Sequence, residues 1–242
     1  MKILLAIASL LAAAVANANP TPHAPVEIHQ RLQLADGAHR YDVAITLDAC
    51  GGGYDADVIS LLVARRIPAT IFVTKRWLDR NPRGAAELLA HADLFELEDH
   101  GTAHVPAVVG TGRHLYGMAG EPDIAHLRSE VSGAADAIAQ LTGQPPHFYR
   151  GAGAAYDAEA VQTIEAMGYH VAGFSVNADS GATLSTAAVA ARLRAVQPGD
   201  IVIAHMNKPA GSTAEGFAAA LPELQRKGLH FIKLSGTQLQ PL

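Results

Sequence analysis

Residues 41–73 read YDVAITLDACGGGYDADVISLLVARRIPATIFV and contain the clearest strand–helix–strand pattern of the sequence. Residues 41–47 are rich in β-branched and apolar side chains, which predicts a strand. Residues 57–66 place apolar side chains on one helical face, and residues 69–73 predict a second strand. Strands that are separated by a helix run parallel in one sheet.

The same alternation continues to the C-terminal end of the sequence. Further strands are predicted at residues 94–97, 147–149, 171–176, 201–204 and 231–234, and further helices at 84–91, 122–141, 157–167, 186–196 and 215–226. The helix at 122–141 has the clearest pattern, with Pro122 in its first turn and Gly143 just after its end. About seven strands of this kind favour a single α/β domain, a distorted (β/α) barrel, over a doubly wound sheet.

The first eighteen residues have the layout of a secretory signal peptide. Lys2 precedes the apolar run 3–15, which is followed by Ala16-Asn17-Ala18. We expect cleavage after Ala18, a periplasmic or secreted protein, and no integral membrane segment in the remainder. Residues 19–40 then form an N-terminal extension, and residues 41–242 form the barrel domain.

Charge and cysteine content exclude some functions. The net charge is −5 with no run of Lys or Arg, which argues against a nucleic acid partner or an anionic membrane surface. Cys50 is the single cysteine, so no intramolecular disulfide can form.

Polar residues follow the predicted strands at a common position. They are Asp48, Asp99, His100, Arg150, Asn177, Asp179 and His205. In a parallel barrel all of these places lie on the C-terminal rim, where the active sites of such barrels are found. We therefore expect a reaction centre at this rim.

His100 and His104 lie four residues apart, with Gly101 between them and Pro106 after them. An irregular turn can direct both imidazoles at one ion, and imidazole suits Zn²⁺ and other divalent first-row metals. The spacing alone is a weak signal, because twelve histidines occur in the chain and two polar loop histidines would give the same pattern.

Three further rim residues have chemistry that suits catalysis. Asp48 precedes a glycine run and can bind metal, act as a general base or cap the turn. Arg150 can hold a carboxylate through a bidentate fork or form a structural ion pair. His205 ends an apolar strand, and we expect a proton donor there rather than a core histidine.

The order of these segments resembles the polysaccharide deacetylase family, the NodB-homology domain of carbohydrate esterase family 4. Five motifs over residues 41–235 carry the resemblance: Thr46-Leu47-Asp48-Ala49-Cys50, His100-Gly101-Thr102-Ala103-His104, Arg150-Gly151-Ala152-Gly153-Ala154, Val176-Asn177-Ala178-Asp179 and Ile203-Ala204-His205.

The resemblance implies a role for each matching residue. Asp48 is then the catalytic base, and Arg150 orients it. His205 is the general acid, which Asp179 would tune, and the Gly153 backbone N–H would help to hold the oxyanion. His100 and His104 would bind a divalent metal ion, Zn²⁺ first, with Co²⁺ or Ni²⁺ as alternatives.

One position departs from the family pattern. The metal-binding aspartate of the first motif is Ala49 here, and a methyl group cannot coordinate a cation. Asp48 could become the third ligand, Cys50 could supply a thiolate, or two histidines and water could hold the ion. We expect Asp48, on the reasoning that the Cys50 side chain would have to turn back toward the site.

The resemblance implies removal of acetyl groups from N-acetylated sugars of a polysaccharide or oligosaccharide. Residues expected to contact this acetylated glycan are Gly153, Tyr156, Asn177, Trp77 and Tyr116. The three aromatic residues lie in predicted rim loops, where they could stack on sugar rings or pack against the protein. Two alternatives remain open: a non-catalytic carbohydrate-binding envelope protein on a degenerate barrel, and a hydrolase of another amide or ester.

Overall fold

The computed structural model describes residues 24–242. The expected signal peptide, residues 1–18, and the first part of the expected extension lie outside the described residues. The strands are β1 (Val26–Glu27), β2 (Gln30–Leu32), β3 (Asp42–Ala49), β4 (Ala69–Val73), β5 (Phe95–Asp99), β6 (His114–Leu115), β7 (Met118–Ala119), β8 (Phe148–Tyr149), β9 (Ala155–Tyr156), β10 (His170–Val171), β11 (Val176–Asn177), β12 (Ile201–His205), β13 (His230–Ile232) and β14 (Leu239–Pro241). The helices are α1 (Ala56–Ala64), α2 (Lys75–Arg80), α3 (Pro82–Ala90), α4 (Ile124–Thr142), α5 (Ala158–Ala166), α6 (Thr186–Arg194) and α7 (Thr213–Arg226).

A curled parallel sheet forms the centre of the molecule. Seven strands follow one another in the order β10-β8-β5-β4-β3-β12-β11, and β13 pairs with the first residues of β3. All pairs in this sheet are parallel. The prediction of a distorted (β/α) barrel is therefore confirmed.

The extension packs against the barrel rather than leaving it. β1 pairs with β9 and β2 pairs with β14, both antiparallel. Between them, Gln30 N donates to the Phe174 carbonyl at 3.0 Å. Because Phe174 lies between β10 and β11, the two ends of the sheet path, the N-terminal segment covers the place where the barrel does not close.

The central strand β3 separates two kinds of environment by the alternation of its side chains. Val43, Ile45, Leu47 and Ala49 belong to the apolar cluster that also contains the buried faces of the helices. Ala44 packs in a second cluster inside the barrel, and Thr46 and Asp48 face the same interior. The interior face therefore leads directly to the rim.

Three local predictions differ from the structure. The strand predicted at 171–176 is replaced by two short strands, β10 and β11, which lie at opposite ends of the sheet order. The long helix begins at Ile124 after an Asp123 N-cap, whose carboxylate accepts a hydrogen bond from His126 N, so Pro122 precedes the helix rather than opening it. The short helix α2 was predicted as a rim loop. It is capped by the Thr74 hydroxyl, which accepts from Trp77 N.

No helix within residues 24–242 is both long enough and apolar enough to cross a membrane.

Candidate active site

A cleft of about 470 Å³ opens at the C-terminal ends of the parallel strands. Its lining includes Asp48, Cys50, His104, Gly153 and His205. A larger cleft of about 810 Å³ lies at the opposite end of the barrel, beside the start of β3. The chemistry-bearing residues are at the smaller cleft, as the rim argument predicts.

Asp48 is buried at the base of this cleft and is held by an ion pair. Its Oδ1 accepts a hydrogen bond from Arg150 Nη1 at 2.9 Å. Arg150 is itself fully buried and donates to Thr46 Oγ1 and to the carbonyls of Ala172 and Gly173. The guanidinium is thus fixed by four acceptors, and it orients the carboxylate in turn.

The charge on Asp48 is stabilised by its surroundings. Burial alone would raise the pKa of this carboxyl, but the Arg150 guanidinium, with His100 and His205, holds it below its ordinary value. The second oxygen, Oδ2, is 3.7 Å from His100 Nε2. Asp48 is therefore an ionised carboxylate with one oxygen engaged by Arg150, as a general base requires.

His205 lies at the end of β12 and is paired with a buried carboxylate. Its Nδ1 donates to Asp179 Oδ1 at 2.9 Å, and its backbone N–H donates to Asp179 Oδ2 at 2.8 Å. Thr213 Oγ1 donates to the same Oδ2 at 2.9 Å. The structure thus places Asp179 in contact with His205, although the motif that contains Asp179 matches the family pattern only loosely.

The pairing with Asp179 also stabilises the protonated form of His205. Burial would lower the pKa of His205, but the hydrogen bond and charge of Asp179 raise it to about 10. Because Nδ1 is engaged by Asp179, Nε2 carries the second proton of the charged ring. His205 lines the cleft, and a charged imidazole there can donate a proton to a leaving group.

His100 presents one ring nitrogen to a possible ion. Its Nδ1 donates to the Arg150 carbonyl, which leaves Nε2 directed at Cys50 Sγ, 3.4 Å away. The ring of His104 lies against it, with centroids 4.8 Å apart. A backbone carbonyl on the far nitrogen is a common support for metal-ligating histidines.

Cys50, His100 and His104 form the one group of three or more potential metal ligands found in the described part of the chain. One ligand atom from each lies within 4.8 Å of the others. Burial would raise the pKa of the Cys50 thiol, but the neighbouring His100, His104 and His205 rings hold it well below its ordinary value. A thiolate with two imidazoles is a donor set that suits Zn²⁺, so the residues present fit a divalent metal ion.

The loop that carries the two histidines is shaped by short-range contacts. β5 ends at Asp99, whose Oδ1 accepts from Gly101 N at 2.7 Å. Gly101 has φ +86°, and a side chain there would collide with the Glu130 carboxylate. His104 has φ +65°, an uncommon backbone conformation for a residue with a side chain. Such conformations persist where surrounding structure enforces them.

Glu130 of α4 provides that enforcement, and the sequence analysis missed it. Its carboxylate accepts from Ala103 N at 3.0 Å and from Val105 N at 2.9 Å. The side chain is buried on the inner face of an amphipathic helix. The sequence did offer one indication of this role, because Glu130 is a charged residue on the helix face that is otherwise apolar and predicted to be buried.

Two of the residues expected to stack on a glycan are buried, and those predictions are wrong. Trp77 is fully buried on α2, and its indole N–H donates to the Gly53 carbonyl at 2.8 Å. Tyr156 is buried on β9, and its hydroxyl accepts from Gly151 N at 2.7 Å. Both rings pack in apolar clusters. Their burial leaves no polar atom without a partner, because a backbone group forms a hydrogen bond with the indole N–H and another with the hydroxyl.

Three other expected contact residues do line the cleft: Gly153, Asn177 and Tyr116. Tyr116 is 70% exposed. It is at the tip of the hairpin β6–β7, where Tyr116 and Gly117 both have positive φ, as a two-residue hairpin turn requires. This hairpin holds an aromatic ring at the edge of the cleft, beside Gly153.

The structure differs from the expectation about the third metal ligand. Cys50 completes the ligand group with His100 and His104, whereas Asp48 is engaged by Arg150. Cys50 follows the last residue of β3, and its carbonyl is held by Thr74 and Arg76 in a turn that places its Sγ 3.4 Å from His100 Nε2. The reasoning that Cys50 would have to turn back was wrong.

Comparisons with known proteins are consistent with this geometry. Residues 36–172 match the family model described as polysaccharide deacetylase. No match is found among curated proteins.

Solved structures share the fold at low sequence identity. A pseudoenzyme of the CE4 family from Bacillus anthracis has a TM-score of 0.68 and 19% identity, covering 82% of this chain and 66% of that chain. A peptidoglycan N-acetylglucosamine deacetylase has a TM-score of 0.68 and 16% identity, covering 83% and 89%. A family 4 acetyl xylan esterase from Clostridium thermocellum, in complex with a cobalt ion, has a TM-score of 0.65 and 19% identity, covering 80% and 88%.

Proposed function

Because the chain belongs to the polysaccharide deacetylase family, we propose that it is a metal-dependent hydrolase that removes acetyl groups from N-acetylated sugars of a polysaccharide or oligosaccharide. One observation carries the proposal: the Asp48 carboxylate, paired with Arg150, and the His205 imidazole, paired with Asp179, line the same cleft beside His100 and His104. A binding module has no need of a base and an acid facing one ligand.

The chain's own residues supply the proton transfers. Asp48, oriented by Arg150, accepts a proton from the water that attacks the acetyl carbonyl. The Gly153 N–H donates to the oxygen that becomes negative, an interaction worth roughly 3 kcal/mol. His205 then gives its Nε2 proton to the departing sugar nitrogen, and Asp179 keeps it charged until that step. A divalent ion bound at His100 and His104 would polarise the carbonyl and acidify water.

A second candidate function is non-catalytic glycan binding. Ala49 at the family's metal-binding position favours it, and a structural neighbour is described as a pseudoenzyme. The two functions are separated by acetate release from purified protein with chitin oligomers, peptidoglycan and acetylated xylan as substrates. Acetate release that a chelator abolishes and Zn²⁺ restores supports the deacetylase, and preference for xylan would indicate an esterase.

The same experiment can overturn the proposal. If the protein releases no acetate from any of these substrates with added Zn²⁺ or Co²⁺, it is not a deacetylase of this type. Asp48→Asn provides the internal control, because it removes the base and leaves the fold contact with Arg150 in place.

An exported location is part of this proposal, since polymeric acetylated glycans are found outside the cytoplasm. It rests on the signal-like segment 1–18. Fractionation of cells that express the full chain would test it, with loss of residues 1–18 from the periplasmic or secreted form as the expected result.

A further inference from the structure

The site lacks the carboxylate that the family uses as a third metal ligand, and another side chain stands near the two histidines. We propose that Cys50 is that third ligand, so that the ion is held by one thiolate and two imidazoles. The inference rests on the proposed function in one respect only, that a metal ion is bound at His100 and His104.

The distances favour this donor set. The ligand atoms of a tetrahedral zinc ion lie about 3.4–3.6 Å apart, given bonds of about 2.0–2.3 Å. Cys50 Sγ and His100 Nε2 are already 3.4 Å apart. The largest separation within the group is below 4.8 Å, so a movement on the order of 1 Å in one ring would close the site.

The Cys50 backbone is held in place independently of any ion. Its carbonyl accepts from Thr74 Oγ1 at 2.9 Å and from Arg76 Nη2 at 3.3 Å. Thr74 is also the N-cap of α2. The turn after β3 is therefore fixed by contacts with the next βα connection, and in this turn the Cys50 thiol lies 3.4 Å from His100 Nε2.

The two residues of the first motif that could carry a carboxylate at the ion are less suited to the third position than Cys50. Ala49 lies in the apolar cluster between β3 and the helices, and its methyl group offers no ligand atom. Asp48 reaches His100 with one oxygen, at 3.7 Å, while the other is bound by Arg150. Retaining Asp48 as the base and Cys50 as the ligand gives each residue one task.

Cobalt absorption tests this inference without reference to activity. The metal-free full chain would be titrated with Co²⁺, and a thiolate-to-cobalt charge-transfer band in the near ultraviolet is expected at one ion per chain. Cys50→Ser should abolish the band. Since loss of an outer-shell partner costs about 10- to 100-fold in metal affinity, loss of this ligand should weaken Zn²⁺ binding by at least about 100-fold.

Three further variants make the result specific. Cys50→Asp should bind Zn²⁺ without the charge-transfer band, because a carboxylate replaces the thiolate on the same face. Asp48→Asn should keep the band. Ala49→Asp should also keep it, because residue 49 faces the helices, and circular dichroism would check the fold of each variant.

The possible failures are distinguishable. Co²⁺ bound without the charge-transfer band, or Zn²⁺ bound as tightly by Cys50→Ser as by the unaltered chain, would overturn Cys50 as a ligand and leave the proposed function standing. A protein that binds neither ion overturns both. Thiolate-bound cobalt with no acetate release overturns the deacetylase alone.

Discussion

The two walls of the cleft are supported in different ways. The acid wall consists of His205, Asp179 and Thr213, and both carboxylate oxygens of Asp179, the His205 Nδ1 and the Thr213 hydroxyl are joined by hydrogen bonds. The metal wall consists of Cys50, His100 and His104, whose ligand atoms are brought together but have fewer partners of their own.

This difference follows from what each wall must do. A general acid works when its proton is held in one orientation, so a dense hydrogen-bond network is useful. Metal ligands must leave lone pairs available to an ion, so their ring and sulfur atoms cannot all be satisfied by the protein.

The largest expected effect comes from removing one residue of each wall. His205→Ala should lower kcat by about 10²- to 10⁴-fold, because the leaving nitrogen loses its proton donor. Its bound metal, measured by elemental analysis, should be unchanged. His100→Ala should lose activity and metal together.

The exposed His170 on β10 offers a control for these two variants. His170→Ala should retain both activity and metal. If His205→Ala lost as much metal as His100→Ala, the two walls would be one unit and the comparison would fail.

The next effect concerns pH. Asp179→Asn removes the charge that raises the pKa of His205 to about 10. A raised pKa keeps the acid protonated as pH increases, so removing its cause moves the alkaline limb of kcat/KM to lower pH. An opposite charge at this distance is worth about 1–3 pH units.

Thr213→Val is the matched variant for Asp179→Asn, since it removes one hydrogen bond to Asp179 and keeps the charge. We expect little or no shift, because Asp179 keeps its charge and its hydrogen bonds to His205. An unchanged alkaline limb in Asp179→Asn would show that another group controls it.

A third prediction addresses the metal wall through its support. Glu130→Ala removes the acceptor for Ala103 N and Val105 N, so the loop between the histidines loses its fixed shape. Zn²⁺ affinity, measured by competition with a chromophoric chelator, should fall about 10-fold, as for other indirect supports of metal ligands.

The alkaline limb should not move in Glu130→Ala, because the acid wall is untouched. The exposed Glu159→Ala on α5 controls for loss of a carboxylate. A shift of the alkaline limb with no change in Zn²⁺ affinity would contradict this assignment of Glu130.

The smallest expected effect is at the edge of the cleft. Tyr116→Ala removes an exposed ring, and stacking of this kind is worth about 0.5–1.5 kcal/mol, so KM for chitin oligomers should rise about 2- to 10-fold with kcat unchanged. Tyr41→Ala, also exposed but at the start of β3, is the control. Equal KM values for the two variants would remove Tyr116 from the substrate site.

The order of the strands and helices and the position of the site at the C-terminal rim were predictable from residue patterns. Strand and helix periodicity is a local property, so β3, β4, β5 and β12 were predictable from residue patterns alone. Residues at the carboxyl ends of parallel strands share one edge of the sheet. The sequence therefore predicted that Asp48, His100, Arg150 and His205 lie close together.

Which side chains face the site and which are buried depends on contacts between distant parts of the chain. Trp77 and Tyr156 were predicted to lie in exposed loops, yet both rings are buried. The Trp77 indole N–H donates to the Gly53 carbonyl, and the Tyr156 hydroxyl accepts from Gly151 N. Glu130 lies on α4 and contacts the histidine loop at Ala103 and Val105, which are 27 and 25 residues before it in the chain. The direction of the Cys50 side chain was predicted wrongly for a related reason. It depends on where β3 ends and on the hydrogen bonds that Thr74 and Arg76 donate to the Cys50 carbonyl. Such long-range contacts leave no local pattern in the sequence.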